Sequence, residues 1–118
     1  MLITFEMITD NLNIKYQVFG KRENDTLIFM DKSVPNVTMH IRVKEDEIEI
    51  RRTGKVDMLQ KHRLNTKLEG YYKDDTGIEF KISNITKELL ILDNQIVIGY
   101  DYYLENEWQS YNKLKIIF

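Results

Sequence analysis

The stretch IVIGYDYYL–ENE–WQSYNKLKIIF, residues 96–118, decides how the chain is read. In its first arm Ile96, Ile98, Tyr100, Tyr102 and Leu104 fall on one face. At its end Leu114, Ile116 and Phe118 do the same, with Lys113 and Lys115 between them. Successive side chains of a strand point to opposite faces, so two period-2 arms around Glu105-Asn106-Glu107 predict a long β-hairpin. That hairpin holds the one Trp and four of the seven Tyr. It is therefore the aromatic ribbon against which shorter strands can close.

Upstream the same alternation recurs. It marks Ile3–Met7, Ile14–Val18, Val37–Val43, Ile48–Arg51 and Ile78–Ile82, and shorter runs at Leu27–Met30, Val56–Met58 and Leu68–Tyr72. Polar turns separate them, and Pro35 sits in a loop over 31–36. Gly54 supplies a turn, and Gly70 marks a bulge or a close backbone approach. Residues 84–92 read two ways. Ile85, Leu89 and Leu92 have helical spacing, whereas Leu89-Leu90-Ile91-Leu92 fits a buried strand. The Asp93-Asn94 turn that leads into the hairpin favours the strand.

The count comes to about ten short strands. The chain has no Ala, the best helix former, and 15 Ile, a bias toward strands. The expectation is one all-β domain over residues 1–118, a closed antiparallel meander barrel of about 8–10 strands. Closure removes exposed edges, which a chain rich in Ile needs.

Composition narrows the function classes. With no Cys, disulfides and thiolate metal sites are excluded, and a reducing compartment fits. The N-terminus lacks a basic, apolar leader and no run is long enough to cross a bilayer as a helix, so a cytoplasmic protein without membrane contact is expected. Net charge is −2. Six basic residues against Asp57 give residues 51–67 a local +5, leaving −7 elsewhere. A domain with pI near 5.7 argues against nucleic acid as partner. His40 and His62 stand at no metal-ligand spacing and are read as solvated surface residues. The Gly are isolated, and Ser33, Ser83 and Ser110 lie in no nucleophile context. No metal, cofactor or enzymatic constellation is expected.

Parity points instead to a pocket. Arg52 is in phase with Ile48 and Ile50, Tyr16 with Ile14 and Val18, and Tyr72 with Leu68 and Gly70. Tyr100 and Tyr102 follow Ile98, and Trp108, Ser110 and Asn112 precede Leu114. Arg52, Tyr16, Tyr72, Tyr100, Tyr102 and Trp108 are thus the candidate ligand-binding residues, for a small amphipathic or anionic molecule in the barrel mouth. An inward Arg52 requires a carboxylate or a bound anion. The other reading has Arg52 leave the barrel beside the turn and pair with Glu49 or Asp57. If the interior is simply packed, the alternative function is a protein-interaction module working through an outer sheet face.

The segment Arg52-Thr53-Gly54-Lys55-Val56-Asp57-Met58, Tyr72 with Thr76 and Gly77, the Ile98-Gly99-Tyr100 arm and the Leu114-Lys115-Ile116 close resemble the YwiB-like family. These are small bacterial proteins of unknown function. The resemblance implies a calycin, or lipocalin-like, antiparallel barrel and carries no catalytic residue with it. The Gly-x-Trp signature near the N-terminus of true lipocalins has no counterpart here, the sole Trp being Trp108.

Overall fold

A computed structural model describes all residues, 1–118. It contains eleven strands and no helix: β1 (Leu2–Ile8), β2 (Asn13–Phe19), β3 (Lys21–Glu23), β4 (Thr26–Met30), β5 (Val37–Val43), β6 (Glu47–Gly54), β7 (Asp57–Arg63), β8 (Lys67–Lys73), β9 (Glu79–Ile91), β10 (Gln95–Leu104) and β11 (Glu107–Ile117). All pairings are antiparallel, in the order β2-β1-β11-β10-β9-β8-β7-β6-β5-β4-β3. From β3 to β11 this is a meander, as expected; β1 then docks beside β11. The sheet curls into a nearly closed barrel whose ends, β2 and β3, meet without a ladder between them.

The terminal hairpin is β10 and β11. Glu105 and Asn106 both have positive φ, 49° and 69°, the two-residue turn whose twist suits flanking strands. Ile96, Ile98, Leu114 and Ile116 are fully or nearly fully buried, so the alternation reads the inner face correctly. Residues 84–91 are strand, because β10 pairs with β9 from Ile91 back to Ile82. The register slips between Gly99 and Tyr100, where Glu88 and Thr86 are the partners. Lys87 is therefore an extra residue on β9, a bulge.

The core gathers residues from both ends of the sheet, Ile3 and Phe5 against Leu27 and Phe29, and Ile41, Ile48 and Ile82 from its middle. β2 and β3 are one chain bent at Gly20. Its first part pairs with β1 and its last with β4, so the barrel closes at Gly20. A Cβ there would meet Ile28 O at 2.6 Å. Further back along β2 no ladder joins the two ends of the sheet, and Tyr16 there faces Asp31 at the start of the 31–36 loop. This is the unsealed seam.

A second irregularity lies between β7 and β8, which pair over only Asp57–Leu59. Gly70 lies against the Leu59 carbonyl: a Cβ there would be 1.9 Å from Leu59 O. This is the close approach the sequence suggests. Beyond it β7 leaves β8 and leans on β9, bridging at Leu64 and Thr86.

Candidate functional site

Where the β7–β8 ladder ends, side chains replace it. Asn84 Nδ2 donates to Lys61 O at 2.8 Å, satisfying a carbonyl that would otherwise be orphaned. The same amide is 3.1 Å from His62 Nδ1. An amide nitrogen only donates, so Nδ1 accepts and Nε2–H donates to Gln60 Oε1 at 3.2 Å. Thr86 Oγ1 completes the set at 3.0 Å from Nδ1. His62 is fully buried, which corrects its reading as a surface residue. It follows Met58 and Gln60 in phase, so the inward parity of β7 runs on through a polar end. Burial holds its pKa down at about 3, and the imidazole is neutral.

His62 packs against the Tyr100 ring, centroids 4.5 Å apart. Tyr100 Oη accepts from Asn112 Nδ2 at 3.3 Å, and Ser110 Oγ donates to Asn112 Oδ1 at 2.7 Å. A buried polar chain thus runs from β9 through β7 and β10 to β11.

This chain forms one side of a cavity of about 200 Å³ inside the barrel. Its polar lining is Arg52, Gln60, Tyr72, Tyr100, Tyr102 and Asn112; Phe5, Met39 and Met58 are among the apolar walls. Arg52, Tyr72, Tyr100 and Tyr102 therefore converge, as their parity implies. Burial raises the phenol pKa of Tyr100 and of Tyr102, so both stay neutral hydroxyls.

Arg52 points inward, its side chain 22% exposed. Nε–H donates to Met39 Sδ at 3.2 Å, the only hydrogen bond of the guanidinium within the protein. The same nitrogen is 3.6 Å from Asp31 Oδ2. Its carboxylate partner is thus Asp31 and neither Glu49 nor Asp57; Glu49 pairs with Lys44 and Asp57 with Arg51. By composition Asp31 is only the start of the 31–36 loop. The signal for it is the continued phase Leu27, Phe29, Asp31, which carries the inward face of β4 one residue past its last pair. Asp31 Oδ1 accepts from Ser33 N at 2.9 Å and from Ser33 Oγ, tying the loop back on itself.

Tyr16 stacks on Phe5, a cavity wall, at 5.1 Å between centroids. Its hydroxyl is buried without a hydrogen-bond partner, and so is Asp31 Oδ2. Burial, then the Asp31 charge, raises the Tyr16 pKa. Tyr16 therefore stands at the seam, beside the cavity rather than in its lining. Trp108 is not in the site. It is 53% exposed, and its indole N–H donates to Asp101 Oδ1 at 3.0 Å on the outer face. The cause is a register slip between Tyr102 and Tyr103: Ser110 pairs with Tyr102 but Trp108 with Tyr103. Gln109 is the extra residue, and it inverts the parity of everything before it on β11.

The fold and site define a class: a small antiparallel barrel with one internal, mostly apolar cavity and a single guanidinium in its wall. By sequence the chain belongs to the family described as a domain of unknown function, DUF1934, whose model matches residues 4–116. No curated protein matches it. It is similar to the ywiB protein from Bacillus subtilis, whose crystal structure superposes with a TM-score of 0.64 over 98% of this chain and 87% of that one. At 15% identity that likeness speaks to the barrel fold alone, and it agrees with the resemblance read from the residues.

Proposed function

We propose that this protein is a non-enzymatic binding protein that holds one small amphipathic or anionic molecule in its barrel cavity. The observation that carries the reading is the cavity itself: about 200 Å³, with six apolar residues and three Tyr among its twelve and one guanidinium in its wall. Ligand sites combine an apolar surround with a few placed polar groups in this way. An apolar cavity of about 150 Å³ suffices for benzene, so the occupant is a molecule of roughly one ring. The lack of Cys supports a cytoplasmic setting.

A thermal-shift screen of single-ring acids, amides and alcohols tests this. A ligand at a hundred times its Kd stabilises the folded state by about 2.7 kcal/mol. The gain should appear in wild type and disappear in Arg52→Met. That substitution strips Asp31 of its cation, so Asp31→Asn/Arg52→Met is the matched control. If no such molecule shifts wild type at millimolar concentration, the cavity is packing and the interaction-module reading takes its place. That second reading has its own support: an apolar groove lies at the Gly20 bend, where Phe19 is 80% and Met30 50% exposed.

A further inference from the structure

The charges around Arg52 decide which head group the cavity accepts. Asp31 Oδ2 lies 3.6 Å from Arg52 Nε, and the Asp31 side chain is only 1% exposed. The guanidinium therefore already has a counter-ion inside the protein. No second cation is available. The cavity lining contains no Lys and no other Arg. The remaining titratable groups are Tyr16 on β2, Tyr72 on β8, and Tyr100 and Tyr102 on β10. His62 on β7, behind Tyr100, is neutral. Asp31 Oδ2 and Tyr16 Oη are both buried, and they face each other closely enough for Asp31 to raise the Tyr16 pKa.

We propose that Asp31 is a specificity-determining residue of the cavity, making it select an uncharged donor–acceptor head group over a carboxylate anion. This rests on the ligand-binding reading above. A carboxylate on Arg52 would place two anions on one guanidinium, both largely removed from water. Their repulsion in a partly buried site is enough to lower affinity by about tenfold to a hundredfold. A primary amide meets no such repulsion. Its carbonyl oxygen accepts from the unoccupied N–H groups of Arg52, and its NH₂ donates to a phenol oxygen of the lining, Tyr72 or Tyr102. A carboxylic acid matches this pattern only while it keeps its proton. The same repulsion raises the pKa of a bound acid by about one to two units, so as pH falls toward that range the acid binds with uptake of a proton.

Benzamide and benzoate have nearly the same shape and differ in charge, which makes them the probes. Titration calorimetry on the full chain at pH 7.5 should find benzamide bound at least about tenfold more tightly than benzoate. As pH falls from 7.5 to 5 benzoate should gain about twofold to fifteenfold, nearly all of it below about pH 6, because the repulsion raises the bound acid's pKa by about one to two units, while benzamide stays constant. Asp31→Asn removes the internal anion and should reverse the preference in favour of benzoate. The wild-type pH profile needs no variant, so it decides the matter even if Asp31→Asn folds poorly. Benzoate favoured by wild type at pH 7.5, with no pH dependence, would overturn the proposal and leave the binding reading intact. Failure of both probes to bind wild type and variant would overturn the binding reading and this inference together.

Discussion

His62 is a residue whose environment makes a measurable demand on pH. Four side chains on three strands surround a ring with no access to water. Its pKa is about 3 folded against about 6.5 in an unfolded chain. Between those values the unfolded state binds a proton that the folded state refuses. Stability therefore falls as pH falls through that window, by up to about 1.4 kcal/mol per pH unit from this group alone. Carboxylates contribute a slope of the same sign at lower pH, so the comparison must be with a variant. In urea melts at pH 7, 6 and 5, His62→Gln should start less stable by about 1–3 kcal/mol and then lose less than wild type at each step. Parallel losses would mean that the folded protein can protonate His62. Parity places this residue inside, but the rule that polar residues face water overrides it. What decides the matter is the broken ladder at Gly70, whose orphaned carbonyl needs the polar cluster, and no local pattern announces it. Asp31 is hidden for a similar reason. Its loop composition is legible, whereas its ion pair with Arg52 depends on two strands, β4 and β6, with β5 between them.

Among the elements, the terminal hairpin is the most legible, and its two faces should differ in energy. Ile116 is completely buried against Ile96 across the ladder. Lys113 and Lys115 lie on the other face, and Lys113 meets Glu88 at 3.4 Å with both side chains about half exposed. Ile116→Ala should therefore cost about 2–5 kcal/mol. Phe118→Ala should sit at or below the bottom of that range, since Phe118 is only half-buried, with Arg22 over its ring. Lys113→Ala and Lys115→Ala should each cost under about 1 kcal/mol, because exposed ion pairs contribute little. Equal costs on the two faces in chemical melts would refute the register. Bulges mark where period-2 reading stops. On β9 the extra Lys87 moves the inward set from Ile82, Asn84 and Thr86 to Leu89 and Ile91, and the changed step imitates helical spacing. On β11 the extra Gln109 turns Trp108 outward. Neither residue is a Gly, so composition gives no warning of either slip.

At the scale of the molecule, the seam is where the barrel should open. A closed meander satisfies every inner backbone group by ladders, but here β2 pairs only with β1. Its other edge faces the 31–36 loop, and every second amide along it lacks a strand partner. The contacts that span the gap are few: the Gly20 bend, the Phe5–Phe29 ring pair and Tyr16 facing Asp31. β10, by contrast, is laddered on both sides along its whole length and carries much of the core. Local opening free energies follow such differences in packing and pairing. Native-state hydrogen exchange should therefore find the seam-facing amides of residues 13–18, and those of the 31–36 loop, exchanging far faster than the amides of Ile96–Tyr100. Asp31→Asn, which removes the charge that faces Tyr16 across the seam, should speed exchange at the seam and leave β10 unchanged. Arg52, in the cavity wall, pairs with Asp31 beside this seam, so opening the seam widens the route from solvent to the cavity. If residues 13–18 prove as protected as β10, the seam is sealed in solution and a ligand must reach the cavity through an end of the barrel.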